Sequence, residues 1–250
     1  MSEFKSWRSY HIFENNVRTN TRYIYSQEIK DFLESVVTTI NDRIKTISIG
    51  SSFWRAQLGH TWSQEKSGNE IFDVQAPYSK KRMKPIPEVA KEGRINPKGI
   101  AYLYLATDAN TAMAESRPWK GAHISIGQFK ITKDLQVIDC TLENEKVSII
   151  YFDEPDHKKK EKAVWRDISE SFSKPVNKDD LYLEYIPTQI LSELFKREGF
   201  DGILYNSNLG EGKNLALFDL VNADLKYCSL SRCAEVMYKF KKQPKEYYLK

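Results

Sequence analysis

The chain has 250 residues, 40% of them hydrophobic, which is enough to bury a sizeable core in one large domain or in one domain with an extension. Its 38 basic and 34 acidic residues give a net charge of +4, which favours anionic partners only mildly, so we do not expect nucleic acid. No apolar run approaches the roughly 20 residues of a membrane span. The start also lacks a signal-peptide pattern, and we expect a cytoplasmic protein with no membrane partner.

The cysteines and histidines give no sign of a metal site. Cys140, Cys228 and Cys233 cannot form a disulfide framework, and no histidine near the last two completes a zinc site. His60 and His123 lack the partner spacing of a catalytic triad or a metal site. We therefore expect ordinary thiols, structural histidines and no metal.

The first 48 residues are predicted to form a helical extension packed on a main domain at 49–250. From Ser26 onward, apolar residues recur at helical spacing and predict one helix of about five turns. They are Ile29, Phe32, Leu33, Val36, Val37, Ile40 and Ile44. Residues 1–24 show no clear period. The apolar stripe must be covered, by the main domain or by a second copy of the chain, which would make a dimer.

The region up to residue 99 is predicted to be mostly irregular. A short strand is expected at 52–56, and the polar residues that follow, to Pro87, are expected to be loop-rich. Glycine and proline then punctuate a tight turn at 93–99, with Arg94 at its mouth. An arginine at such a turn can bind a phosphate group.

A strand and a helix follow this turn directly. Residues 100–106 alternate with a period of two, which puts Tyr102 and Tyr104 on one face of a strand. Asp108 is the predicted N-cap of a short helix that runs through Glu115. Glu115 falls in the last helical turn, where the helix dipole disfavours an anion, and this misplacement hints at a function.

The second half of the chain is predicted to contain five strands and two helices. In chain order these are strands His123–Ile131 and Leu135–Cys140 as a hairpin, a helix starting at Lys158–Lys160, a helix with Pro187 in its first turn and Gly199 as its stop, strands Gly202–Tyr205 and Asn214–Phe218, and an edge strand at Val236–Phe240. The lysine run is expected to be a solvated helix face.

Five motifs, taken in order, make the chain resemble the RES domain family, which is named for an arginine, a glutamate and a serine and includes toxins of bacterial toxin–antitoxin pairs. The motifs are Phe53-Trp54-Arg55-Ala56, Gly93-Arg94-Ile95-Asn96-Pro97-x-Gly99, Tyr102-Leu103-Tyr104, Ala112-x-Ala114-Glu115, and Gly202-Ile203-x-Tyr205-x-Ser207 followed by Asn214-Leu215-x-Leu217-Phe218. The resemblance leaves out the N-terminal extension and a lysine-rich insert near Lys158.

The resemblance implies an α+β fold similar to that of ADP-ribosyltransferases, with a split, mostly antiparallel sheet and flanking helices that enclose an NAD cleft. Family members degrade NAD by phosphorolysis or hydrolysis, or transfer its ADP-ribose to a protein. Arg94, Glu115 and Ser207 match the motif arginine, glutamate and serine, and Arg55 and Tyr104 match further pocket positions. NAD is then a substrate, no cofactor or metal is implied, and an antitoxin protein is an expected partner.

The chemistry of NAD cleavage suits the same residues. Breaking the nicotinamide–ribose bond leaves an oxocarbenium-like ribose, which a carboxylate such as Glu115 can stabilise. The planar guanidinium groups of Arg55 and Arg94 can bind pyrophosphate through paired hydrogen bonds. Tyr104 can stack on a flat heterocycle, and Ser207 can hydrogen-bond nicotinamide or ribose.

Each of these residues also has an ordinary structural explanation. Arg55 could pair with a surface acid, and Arg94 could be a turn arginine that faces water. Glu115 could be a solvated helix residue, and Ser207 could stabilise only its own loop. Tyr102 is expected to pack in the core.

Three functions are therefore weighed. The preferred one is an enzyme that cleaves NAD at the nicotinamide–ribose bond, with phosphate or water as acceptor, and acts as the toxin of a bacterial toxin–antitoxin pair. The alternatives are an ADP-ribosyltransferase that modifies a cellular protein and a non-enzymatic binding module. The presence of Arg94, Glu115 and Ser207 argues against the binding module.

Overall fold

An eight-stranded sheet organises the chain, and its computed structural model describes residues 3–142, 151, 153–174, 181–237 and 239–240. The strands are β1 (Ile44–Ile47), β2 (Ser52–Leu58), β3 (Thr61–Ser67), β4 (Glu70–Ala76), β5 (Leu103–Ala106), β6 (His123–Ile131), β7 (Leu135–Cys140), β8 (Gly202–Asn206), β9 (Lys213–Leu217) and β10 (Ala223–Arg232). The helices are α1 (Ser9–Thr19), α2 (Gln27–Thr39), α3 (Lys80–Met83), α4 (Ala109–Glu115), α5 (His157–Ser173) and α6 (Leu181–Arg197).

The sheet has two halves joined by a narrow link. Its strand order is β1-β7-β8-β9-β5-β2-β6-β10, and β7 with β8 is the parallel pair among otherwise antiparallel described neighbours. The link between β5 and β2 is the pairing of Ala106 with Trp54. One buried cluster joins side chains from both halves, including Phe53 and Phe129 from one and Leu105 and Leu215 from the other. The predicted class, α+β with a split, mostly antiparallel sheet and flanking helices, is confirmed.

The larger core cluster lies on the opposite face of the sheet from the first cluster. Helices α1, α2, α5 and α6 cover it. Alternate residues of β7, β8 and β9 contribute to it, as the two-residue period of a strand requires. Helical spacing in the sequence predicts an apolar stripe on each of the last two helices, and both stripes face this cluster. They are Val164, Trp165, Ile168 and Phe172 on α5 and Ile190, Leu191, Leu194 and Phe195 on α6. Among the described helices, none combines the length and the apolar composition that a membrane span requires.

The first 48 residues contain more structure than predicted. Residues 9–19 form α1, which packs against α2, α5 and α6. The predicted helix begins as expected, with Ser26 as its N-cap, but α2 ends at Thr39 and not near Ile44. Ile44 begins β1, because its backbone pairs with Ile138 of β7 and a helical backbone could not form those hydrogen bonds. The division at residue 48 remains a prediction.

The expectation of a loop-rich stretch before Pro87 is wrong. β3 and β4 form a two-stranded ribbon, closed at Gly68, which has a φ of 62°. The ribbon exposes large apolar side chains on both of its faces, such as Trp62 and Phe72. A strand shows clear alternation in its sequence only where one face is buried, and here neither face is.

The predicted hairpin of β6 and β7 is also wrong. Both strands exist within the predicted bounds, but β6 pairs with β2 and β10, whereas β7 pairs with β1 and β8. Residues 132–134 therefore cross from one half of the sheet to the other. Adjacency in sequence did not decide the pairing, because both edges of β6 are occupied by strands from distant parts of the chain.

Several further boundaries differ from the prediction, and the two largest differences concern α6 and the edge strand. Pro187 lies in the interior of α6, after residues 181–186, and not in its first turn. The edge strand is β10 and not 236–240, because Arg232 already pairs with His123, the first residue of β6. The predicted stop at Gly199 is confirmed, with a φ of 91°.

Candidate active site

A cleft of about 440 Å³ opens at the link between the two halves of the sheet. Its lining comes from β2, β5, β8, β9, α4, α6 and the turn at 93–94. Four of the five predicted site residues line it, namely Arg55, Arg94, Tyr104 and Glu115. The fifth, Ser207, contacts Glu115 from the loop between β8 and β9. The fold thus brings together residues from five separate motifs.

Glu115 is held through one of its two oxygens. Its Oε1 accepts hydrogen bonds of 2.7 Å from Ser207 Oγ and of 2.7 Å from Asn214 Nδ2. Oε2 takes no hydrogen bond from the described residues. Asp108 fixes the start of α4 as predicted, with Oδ1 accepting from the Thr111 backbone N–H at 2.8 Å. The carboxylate is therefore positioned while one oxygen stays available to a developing positive charge.

Ser207 serves its own loop as well as Glu115. Its Oγ accepts from the backbone N–H groups of Leu209 and Gly210 at 3.1 and 3.0 Å. Because a hydroxyl has one proton to donate, the bond to Glu115 uses that donor. This arrangement favours a positioning role for Ser207, beside its predicted role as an NAD contact.

Arg94 extends from a turn that α6 holds in place. Thr188 Oγ1 donates to the Arg94 carbonyl at 2.5 Å, and Gln189 Nε2 donates to the Gly93 carbonyl at 2.9 Å. The guanidinium donates from Nη1 to the Ser171 carbonyl at 2.9 Å and lies 5.6 Å from the centre of the Tyr185 ring. No carboxylate of the described residues pairs with it, so its remaining donors are free to bind an anion.

Arg55 spans the gap between β2 and β5. Its Nη1 donates to the Tyr104 carbonyl at 3.0 Å, and its buried Nε has no hydrogen-bond partner within the described ranges. Burial, and secondarily the nearby Arg82, lowers the pKa of Arg55 to about 10, so it stays charged at neutral pH. No acid in the described part of the chain pairs with it. An unpaired, largely buried cation is costly in isolation and suits a site that receives an anionic ligand.

The Tyr104 hydroxyl is fully engaged in holding the arginine turn. It donates to Asn96 Oδ1 at 2.6 Å and accepts from the Ile95 backbone N–H at 3.1 Å. Burial raises the pKa of Tyr104. Gly93 permits this packing, since a Cβ there would lie 2.8 Å from the Tyr104 hydroxyl. Only the ring of Tyr104 can therefore meet a ligand. The neighbouring Tyr102 is core packing, as expected, and is 2% exposed.

Among the cleft residues to which the sequence assigned no role, three stand out. Asn214 is a buried polar residue directly before the apolar run Leu215-Ala216-Leu217 of β9, and that contrast was a signal that could have found it. Tyr185 was hidden by the prediction that α6 starts near Pro187. Arg117 has a φ of 49°, the one positive value for a non-glycine residue in the described chain, and it lines both the cleft and a small adjoining pocket.

The histidines and cysteines lie apart from this cleft. The rings of His60 and His123 meet edge to face, with centroids 4.9 Å apart. Cys140 is buried, which raises the pKa of its thiol. Among the residues that the structure describes, no group of three histidines, cysteines, aspartates or glutamates could hold a metal ion.

Comparisons with known proteins bear on this arrangement. A chain in the crystal structure of the M. tuberculosis MbcT–MbcA toxin–antitoxin complex is similar, with a TM-score of 0.39 and 16% sequence identity over 79% of this chain and 91% of that chain. No curated protein matches the sequence significantly. The family model of the RES domain matches residues 53–237, which contain all five predicted site residues and exclude α1 and α2. By that match over most of its length, this chain belongs to the RES domain family.

Proposed function

We propose that this chain cleaves NAD between nicotinamide and ribose. The observation that carries the proposal is one cleft with a positioned carboxylate, Glu115, and two arginines without a described acid partner, Arg55 and Arg94. NAD presents matching groups, since its pyrophosphate is anionic and its ribose becomes cationic as the glycosidic bond breaks.

In the proposed reaction, the bond between the nicotinamide nitrogen and ribose C1′ breaks, and its electron pair leaves with neutral nicotinamide. The free Oε2 of Glu115 stabilises the cation that develops at C1′, while Ser207 and Asn214 hold the carboxylate in place. Arg55 and Arg94 bind the pyrophosphate, and the Tyr104 ring packs against a flat part of the substrate. Phosphate, water or a side chain of a target protein then attacks C1′.

In the cell, such an enzyme depletes NAD, and we propose that it acts as a toxin restrained by an antitoxin protein. Expression of the chain alone should then arrest bacterial growth. Expression of Glu115→Gln should not, provided that both proteins accumulate to equal levels.

Incubation of the purified protein with NAD, with and without phosphate, tests the reaction. Mass spectrometry should find nicotinamide together with ADP-ribose 1″-phosphate or ADP-ribose. Nicotinamide release that appears only when a cell lysate is added, with ADP-ribose bound to a protein, would favour the transferase alternative. Intact NAD in every arm, from a protein that is folded by circular dichroism, would contradict the proposal and leave the binding module.

A further inference from the structure

Arg94 depends for its position on two helices in addition to the sheet, from which Tyr104 holds the turn that carries it. Its Nη1 donates to the carbonyl of Ser171 on α5, and its guanidinium lies against the ring of Tyr185 on α6. The turn that carries it is also bound to α6, through Thr188. Any shift of α5 or α6 relative to the sheet would therefore move this guanidinium in the cleft.

Helix α1 contacts α5 one turn before Ser171. His11 Nε2 lies 3.3 Å from Oδ2 of Asp167, a buried carboxylate whose Oδ1 also accepts from Arg166 Nη2 at 3.0 Å. Asp167 and Ser171 are four residues apart and so lie on the same helix face. The buried Tyr10 of α1 packs beside Ser171 itself.

Helix α1 also contacts α6 at the residue before Tyr185. Arg18 Nη2 donates to Glu184 Oε2 at 2.9 Å and lies 2.8 Å from Glu14 Oε1. The Arg18 and Glu184 side chains are 23% and 28% exposed, so solvent screens this pair less than an ordinary surface pair. Glu184 lies in the first turn of α6, where the helix dipole favours an anion.

From these contacts we propose that α1 positions Arg94, with Arg18 acting through Glu184 and Tyr185 as the principal positioning residue. α1 lies outside residues 53–237, so this support comes from a part of the chain that the RES domain model does not include. The expected effect on NAD binding rests on the proposed function. The placement of Arg94 by α1 does not, and it can be tested without NAD.

The first test measures NAD affinity by calorimetry, using the full chain in the Glu115→Gln background so that NAD is not consumed. Arg18→Gln and Glu184→Gln should each weaken NAD binding about threefold to tenfold, and the double variant should be no weaker than either single one. Arg18→Lys, which keeps the charge, should recover part of the loss. Arg197→Gln is the matched control, because it breaks the Arg197–Glu198 pair at the far end of α6 and should leave affinity unchanged.

The second test does not depend on NAD. The side-chain Nε–Hε resonance of Arg94, assigned by its loss in Arg94→Lys, should move in Arg18→Gln and stay in place in Arg197→Gln, because the Tyr185 ring current acts on it. An unchanged resonance overturns the positioning role, whether or not the protein binds NAD. A moved resonance in a protein that does not bind NAD would uphold the positioning role and contradict the proposed function alone. Equal losses of affinity in Arg18→Gln and Arg197→Gln would reduce the role of Arg18 to general stability.

Discussion

The two sides of the cleft are held by different parts of the molecule. Glu115, on the carboxylate side, is fixed by Asn214 of strand β9 and by Ser207 of the loop before that strand. Arg94, on the arginine side, rests on α5 and α6, which α1 contacts from outside the matched domain. Glu115 is thus held by contacts with β9 and its loop, whereas Arg94 also rests on helices that the N-terminal extension contacts.

The largest effect is expected from removal of residues 1–48, which takes away the helix that supports the Arg94 side of the cleft. We expect the remaining chain to be insoluble. Ten buried hydrophobic side chains come from this segment, and the burial of each one contributes about 1.5–3 kcal/mol to stability. Even half of their summed contribution would match the roughly 5–15 kcal/mol of net free energy that keeps a domain folded. They are Phe4, Tyr10, Phe13, Val17, Ile29, Phe32, Leu33, Val36, Ile40 and Ile47.

Solubility after expression, followed by size-exclusion chromatography, measures this outcome. A soluble, active monomer obtained from a dimeric parent would instead assign the extension to a dimer interface. The same measurement on the intact chain gives its oligomeric state, which is the necessary control.

On the carboxylate side, Glu115→Gln should lower the rate of nicotinamide release by about 10² to 10³, because it keeps the volume and removes the charge at the ribosyl cation. NAD affinity and melting temperature should stay close to those of the parent. Ser207→Ala removes one of the two donors to Oε1 and should reduce the rate by less. Nicotinamide release near the parental rate in Glu115→Gln would remove this residue from the mechanism.

On the arginine side, Arg94→Lys should weaken NAD binding about tenfold, because a planar fork that can make paired hydrogen bonds becomes a single ammonium group. Calorimetry in the Glu115→Gln background measures it without turnover. Unchanged affinity would make Arg94 an ordinary turn residue. Lys133→Gln is a useful control, since it removes a cation that pairs with Asp201 elsewhere on the surface.

The contact between α1 and α5 should depend on pH through His11. The neighbouring carboxylates of Asp167 and then Glu14, 3.3 and 3.6 Å from its ring nitrogens, raise the pKa of His11 to about 9, above the usual 6.5. The protonated form is favoured in the folded state, so its contribution is complete below about pH 6.5 and is lost as pH rises through 9. His11 is partly exposed, and solvent screening limits the effect to about 1 kcal/mol or less.

Urea unfolding at pH 6 and at pH 9.5 tests this smallest effect. The difference in unfolding free energy between the parent and His11→Gln should be larger at pH 6 than at pH 9.5. Equal differences at the two pH values would show that His11 contributes no charge-dependent support to α1.

The sequence was sufficient wherever the signal is local. Asp108 caps α4 and Gly199 stops α6 because capping and left-handed turns depend on a few adjacent residues. The apolar stripes of α5 and α6 followed from helical period, since one face of each is buried. The ordered RES motifs also identified the family and the segments that line the cleft, because the residues of a site are fixed in kind even when they are far apart in the chain.

Only the tertiary structure shows the strand pairings and side-chain hydrogen bonds that join residues far apart in the chain. β6 and β7 are adjacent in sequence but belong to different halves of the sheet, because backbone hydrogen bonds pair strands by position in space. The roles within the site are of the same kind. The neighbouring sequence does not indicate that the Ser207 hydroxyl donates its hydrogen bond to Glu115. Nor does it indicate that the Tyr104 hydroxyl holds the turn of Arg94. A side chain has a fixed number of donors and acceptors, and only the folded arrangement determines which of them remain for a substrate.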